Sequence, residues 1–291
     1  MSEPLKLRAR LQSPVADVYG ALTDPGALRS WLAEYAEVEL PHRYEFWGRY
    51  TPEGQAPHQR MLHADDRTLR LAWLLGGEET AVEICLEAES AEATILSLSQ
   101  SHFDFQDAVS GNNILGVLFT YWSLSIKNLV DYLEGRQHTP KCDFTSTDMR
   151  EQILIDALPQ AVFDSLTNQE KFSQWFGYPI EIDPRVGGRW AMGTADIGYG
   201  PVGSILELNP ERKLTMAEEG GGTVSWQLEN IDRKTGLTFV EDSTGMERSA
   251  YPGWCAWLSA ITELRRFNEL ADWRPVWLDS AATAGSDSLT D

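Results

Sequence analysis

Residues 18–32 read Val-Tyr-Gly-Ala-Leu-Thr-Asp-Pro-Gly-Ala-Leu-Arg-Ser-Trp-Leu, and residues 162–176 read Val-Phe-Asp-Ser-Leu-Thr-Asn-Gln-Glu-Lys-Phe-Ser-Gln-Trp-Phe. At one constant offset Val18, Tyr19, Leu22, Thr23, Leu28, Trp31 and Leu32 fall on Val162, Phe163, Leu166, Thr167, Phe172, Trp175 and Phe176. Solenoid and propeller units repeat every ~20–50 residues, so two copies this far apart are whole domains. The expected division is a first domain over 1–136, a linker over 137–148, a second domain over 149–275 and a disordered tail over 276–291.

Composition agrees with two domains. At 291 residues the chain is long for one hydrophobic core, and 42% apolar with 23% charged residues is the balance of a soluble globular protein. Eleven tryptophans are many for this length; indoles fill cores and also line apolar pockets. The net charge is -20, and both halves are acidic. Such a chain lacks the basic footprint that phosphate backbones require, so no nucleic-acid partner is expected. Anionic membrane surfaces should repel it. No run approaches the ~20 apolar residues of a membrane span, and Met-Ser-Glu-Pro-Leu-Lys lacks a signal-peptide core. A cytoplasmic protein without membrane insertion is the expectation. Cys85, Cys142 and Cys255 form neither a disulfide framework nor a CxxC pair, which suits a reducing compartment.

Outward from the repeat, residues 5–12 alternate as a half-buried strand. Ser13-Pro14 reads as an N-cap with proline at the first helical position. Val15, Val18, Tyr19 and Leu22 form a helical stripe, and Thr23-Asp24-Pro25 ends that helix and opens the next. Strands are predicted at 44–50, 67–75, 80–88 and 93–99, with a turn at Gly76-Gly77. A long helix follows over 115–133, stopped by Gly135. The second half repeats the order: a strand over 150–156, a helix opened by Pro159, and another capped by Asn168. Strands are predicted at 180–183, 188–192, 202–208, 213–218, 223–231 and 237–242, and a final helix over 253–271. Strand, two short helices, a run of antiparallel strands and one long helix imply an α+β layer fold.

Those features resemble the helix-grip, START-like (SRPBCC) superfamily, in particular the branch related to the C-terminal domain of heat-shock-protein-90 ATPase activators. The resemblance rests on Leu-Thr-(Asp/Asn) followed by tryptophan at Leu22–Trp31 and Leu166–Trp175, and on Asp183-Pro184-Arg185-Val186-Gly187-Gly188-Arg189-Trp190. Arg212-Lys213-Leu214 and the tryptophan-led last helix complete it. The second copy is the closer match. The first reads His42-Arg43-Tyr44-Glu45-Phe46-Trp47-Gly48-Arg49-Tyr50 without the double glycine, and carries an insert at about Ser101–Gly116. The resemblance implies two tandem helix-grip domains, each a curved antiparallel sheet wrapped around its long C-terminal helix, with an apolar or amphipathic small molecule held between the two. It equally implies co-chaperones and polyketide cyclases, because one fold hosts many functions.

Candidate ligand-binding residues are Trp175, Trp190, Trp226, Phe239, Trp254, Trp257 and Arg189 in the second copy. In the first they are Trp31, Phe46, Trp73, Phe119 and Trp122. Each aromatic can equally be core packing; Trp190, Trp226 and Trp257 are the preferred lining residues. Alternation allows only one of Arg189 and Trp190 to face inward. Glu218-Glu219, Glu241 and Asp242 are carboxylates near strand ends, where burial would make a general base. All five histidines, His42, His58, His63, His102 and His138, precede the second copy, so histidine catalysis by its own residues is excluded. His58 and His63 have no nearby cysteine, and no metal site is expected. His102-Phe103-Asp104-Phe105 reads as a lid segment or a solvated loop. No phosphate loop or GxSxG motif occurs, so no cofactor is expected. The leading expectation is sequestration of a hydrophobic small molecule. A protein-interaction module with a protein partner is the second. A cyclase- or hydrolase-like enzyme is third, since no catalytic constellation is visible.

Overall fold

The computed structural model describes residues 4–102, 114–194, 198–219, 221–243 and 250–278. Two compact units emerge. Unit 1 gathers the chain through Ser146, a stretch of the last helix ending at Ser259, and a short return segment beginning at Val276; unit 2 gathers the strands from Thr147 onward and Ala260–Pro275.

Unit 1 begins with β1 (Leu5–Leu11), α1 (Val15–Thr23) and α2 (Pro25–Trp31). Then come β2 (Tyr35–Glu39), β3 (Arg43–Trp47), β4 (Gln59–Ala64), β5 (Thr68–Leu75), β6 (Glu78–Ala88), β7 (Thr94–Gln100), a 3-10 turn (Ile114–Val117) and α3 (Leu118–Leu133). Its main sheet is antiparallel in the order β1-β7-β6-β5-β4, with β2-β3 as a separate hairpin. Gly76 and Gly77, both at positive φ, make the two-residue turn between β5 and β6, the conformation that right-twisted hairpins require. α3 ends as expected at Gly135 (φ 65), where the Arg136 amide reaches back to the Asp131 carbonyl.

Unit 2 contains β8 (Arg150–Ile155), α4 (Pro159–Thr167), α5 (Gln169–Phe176), β9 (Ile180–Ile182), β10 (Arg189–Thr194), β11 (Gly198–Asn209), β12 (Lys213–Glu218), β13 (Thr223–Ile231) and β14 (Lys234–Asp242). They form one antiparallel sheet, β8-β14-β13-β12-β11-β10-β9. The final helix α6 (Tyr251–Glu269) contributes its second half to this unit. There Asn268 Oδ1 accepts from the Ser165 hydroxyl and Glu269 accepts from the Asp156 amide. The α+β architecture of large antiparallel sheets with long helices is thus as the sequence implies.

The repeated stretch repeats its hydrogen bonds. Trp31 Nε1 donates to the Ala21 carbonyl (3.0 Å), and Trp175 Nε1 to the Ser165 carbonyl (2.8 Å). Thr23 and Thr167 hydroxyls donate to the Tyr19 and Phe163 carbonyls, 2.8 Å in each case. Asp24 accepts from the Ala27 amide and Asn168 from the Lys171 amide, each capping the second short helix. The repeated motif is therefore a helix-turn-helix lock, in which a buried indole ties the second helix to the first.

Several details differ from expectation. Ser13 does not cap α1; the cap position is Pro14, whose carbonyl takes the first amides while no side chain caps the helix. β2 and β4 were not expected: β2 is a short strand of five residues, and β4 buries only Gln59, so no apolar alternation marks it. β14 begins before Gly236, not after it. The hairpin turn is Asp232-Arg233 at positive φ, and a Cβ on Gly236 would lie 2.5 Å from Ile231 Cδ1. The glycine is there because Ile231 lies across it. The tail starts with a pairing: Arg10 donates to the Val276 carbonyl, the Leu278 amide donates to the Arg8 carbonyl, and Ala9 bridges Trp277 on the β1 edge. Residues 279–291 lie outside the described residues, as do residues 103–113 of the insert that includes Phe103-Asp104-Phe105.

Candidate functional site

The sequence-selected aromatics divide into two kinds. In unit 2 they form separate local packings. Trp226 on β13 lies 4.5 Å from Phe239 on β14, ring centre to ring centre. Trp175 stacks on Phe172 at 4.8 Å and 11°. Trp190 donates to the Ala217 carbonyl at 2.9 Å, above Gly203, where a Cβ would fall 1.7 Å from that same carbonyl oxygen and 2.7 Å from the indole nitrogen. Trp254 and Trp257, assigned from sequence to the second copy, occupy the half of α6 that belongs to unit 1. Arg189 stands on the opposite face from Trp190: it is exposed and pairs with Glu181 at 2.8 Å. Strand alternation therefore sends the indole inward and removes the guanidinium from any interior role. Glu219 and Asp242 are exposed, and Glu218 and Glu241 are half-buried.

In unit 1 the aromatics converge. Phe46 of β3, Trp73 of β5 and Trp122 of α3 meet edge to face, with Phe46–Trp73 at 5.2 Å, Trp73–Trp122 at 6.0 Å and Phe46–Trp122 at 6.5 Å. Tyr121 joins them, 5.1 Å from Trp122 and 5.8 Å from Trp73. Trp31 stays apart in the helix lock, and Phe119, one turn before Trp122, is only half-buried.

This cluster is not purely apolar. Gln100 accepts from Trp122 Nε1 (2.6 Å) and donates to Thr80 Oγ1 (3.0 Å), and Thr80 donates to the Trp73 carbonyl (2.9 Å). Gln59 accepts from the Phe46 amide and the Tyr44 hydroxyl donates to the Leu22 carbonyl. Three donors stand outside these networks: among the described residues Trp73 Nε1, the Tyr121 hydroxyl and Thr51 Oγ1 have no hydrogen-bond partner. Their residues are 0%, 3% and 1% exposed. Burial raises the Tyr121 phenol well above its ordinary pKa. Thr51 and Ser125 lie near enough to oppose that, though neither meets the hydroxyl in hydrogen-bond geometry. The phenol therefore stays neutral and keeps its proton available to donate.

Thr51, Thr80, Gln100 and Tyr121 were not singled out from the sequence. A signal existed for two of them. Thr80 shares the inward register of Val82, Ile84 and Leu86, and Gln100 that of Leu96 and Leu98, so each is a polar group on an apolar face, which needs a partner inside.

Among the described residues no group of three or more His, Cys, Asp or Glu is placed to hold a metal ion. Among the described residues no helix is long and apolar enough to cross a membrane.

The geometry of unit 2 is a seven-stranded antiparallel sheet with two short helices after its first strand, and its sequence has relatives. Residues 156–264 match the family model for Activator of Hsp90 ATPase homolog 1-like protein. No curated protein matches the sequence. Similar solved structures include the Aha1 dimer from Colwellia psychrerythraea, 19% identical, covering 44% of this chain and 100% of that one at a TM-score of 0.37. DynU16, from the dynemicin biosynthetic locus, is 16% identical and covers 91% of this chain and 98% of its own, also at 0.37. An HSP90 activator from Plasmodium falciparum is 17% identical, covering 33% and 73%, at 0.29.

Proposed function

We propose that the two units are tandem copies of one helix-grip fold and that the interior of unit 1 binds a small amphipathic molecule carrying a hydrogen-bond acceptor. The observation that carries this is the set of buried, unpartnered donors on Trp73, Tyr121 and Thr51. Each buried unsatisfied polar group costs about 1–3 kcal/mol. Three together approach the about 5–15 kcal/mol by which a whole domain is stable. An acceptor that reaches any of them lowers that cost. A ligand oxygen does so while the rings of Phe46, Trp73 and Trp122 cover its apolar body, and in its absence water is the natural substitute. The tandem reading is supported by the hydrogen bonds that recur at the offset of the sequence repeat.

The test is thermal denaturation of the full chain against a library of lipids and aromatic compounds, repeated with Tyr121→Phe. Ligands that stabilise the wild type and lose most of their effect in the variant support the proposal. A library in which no compound raises the melting temperature of either unit contradicts it.

A second reading concerns unit 2, where the family match lies. Val186 and Leu206 are 62% and 51% exposed and flank the hydrogen bond from the Gly187 amide to the Ile205 carbonyl. With the family's description, they favour a protein-interaction module of the Hsp90-activator type. Stimulation of a purified Hsp90 ATPase by the full chain, lost in Val186→Asp, supports this reading; an unchanged ATPase rate contradicts it.

A further inference from the structure

Unit 2 carries an open groove of about 590 Å³ between α4 and the turn joining β11 to β12. Leu158, Ala161, Phe163 and Pro210 give it an apolar wall, and Asp164 and Glu211 bring carboxylates to it. Leu158 is 45% exposed although it is the residue that leads into α4.

The two carboxylates differ. Asp164 is held by Lys171 at 2.5 Å. Glu211 makes no ion pair among the described residues. Its backbone is unusual too. The Arg212 amide donates to the Asn209 carbonyl, closing a turn with Pro210 and Glu211 at its centre, and Glu211 sits at φ 60. Proline followed by a positive-φ residue is the type II pattern, which favours glycine at that second position. A side chain with a Cβ is strained there. Glu211 thus stands at the lip of the groove with no ion pair among the described residues, on a turn that a glycine would occupy with less strain.

We propose that this groove docks a short segment of a partner protein in which a lysine or arginine stands beside a leucine-like residue. The apolar neighbour packs on Leu158, Phe163 and Pro210, and the cation pairs with Glu211. Charge complementarity favours this occupant, since the chain as a whole carries a net charge of -20 and steers cationic segments toward it. An open groove with carboxylates at its rim suits a peptide better than a small molecule, whose sites are enclosed and mostly apolar. The proposal rests on the interaction reading of unit 2 and is independent of the unit 1 interior.

The experiment is two-dimensional amide NMR of the labelled full chain titrated with the peptide Ac-Leu-Arg-Ala-Leu-Arg-NH2 and with its acidic counterpart Ac-Leu-Glu-Ala-Leu-Glu-NH2. The basic peptide is expected to shift amides in α4 and at Glu211 and Arg212, more weakly as salt is raised, and the acidic one to leave them in place. Glu211→Gln should weaken the basic peptide about two- to fivefold and Glu211→Asp should retain it. Glu211→Gly should weaken it as much with no fall in melting temperature, which a merely structural glutamate would not allow. Equal shifts by both peptides, no shifts at the groove, or full binding by Glu211→Gly overturns the proposal. Shifts confined to the surroundings of Val186 and Leu206 overturn the groove but leave the interaction reading standing.

Discussion

Tyr121→Phe should stabilise the unliganded protein. The change removes one buried hydroxyl that has no partner and keeps the ring, with its contacts to Trp122 at 5.1 Å, Trp73 at 5.8 Å and Phe144 at 6.2 Å. The hydroxyl's uncompensated burial costs about 1–3 kcal/mol. Some of that is recovered when water reaches the site, so a gain of about 1 kcal/mol remains. For a unit of this size the gain is a rise of about 4 °C in melting temperature. Calorimetry of the full chain, with urea denaturation as a second measure, reads it directly. With a saturating ligand the order should reverse, because the wild type gains a hydrogen bond that the variant cannot make. A loss of about 1 kcal/mol or more in the unliganded variant would refute the reasoning. It would mean that Thr51 or Ser125 closes a hydrogen bond with the phenol and that the donor set is already satisfied.

Three other outcomes follow from the geometry. Trp31→Phe and Trp175→Phe each remove an indole donor and orphan a buried carbonyl, so denaturation should show similar losses of about 1–3 kcal/mol in the two units. Gly203→Ala puts a methyl 1.7 Å from the Ala217 carbonyl oxygen and 2.7 Å from Trp190 Nε1; it should cost about 3 kcal/mol and change the Trp190 fluorescence. Asp65 accepts from His63 and from the Arg67 and Thr68 amides, with the His63 bond the largest influence, and its pKa is lowered to about 2. A depressed carboxylate contributes stability that is complete above about pH 4 and is lost as pH falls toward 2. Carboxylate NMR titration should therefore give a midpoint near 2, moving up toward 3.8 in His63→Ala.

The α+β fold was legible because its signals are local. The repeated helix pair announces itself through the residues that make its hydrogen bonds, Thr23, Asp24 and Trp31 matching Thr167, Asn168 and Trp175. The strands β6 and β13 alternate cleanly. β4 did not, because only Gln59 at its start is buried, leaving nothing for periodicity to detect. The aromatic cluster was half legible: Phe46, Trp73 and Trp122, named among the candidate binding residues, do meet, whereas the tryptophans of unit 2 named with them pack in separate places. Nothing in one sequence says which indole finds a carbonyl, as Trp190 does, and which finds none, as Trp73 does. That depends on where β5, α3 and the segment at Thr51 come together. Trp254 and Trp257 lie within the stretch matched by the family model, 156–264, while their contacts group that half of α6 with unit 1; a helix's sequence does not say which neighbours each half packs against.

The most direct measurement is calorimetric binding of matched compounds that differ only in an acceptor: 9-fluorenone against fluorene, and benzophenone against diphenylmethane. The ketones should bind the full chain at least tenfold more tightly than the hydrocarbons, and Tyr121→Phe should erase most of that difference. Equal affinity within each pair, or a ketone preference that survives in the variant, would contradict the account.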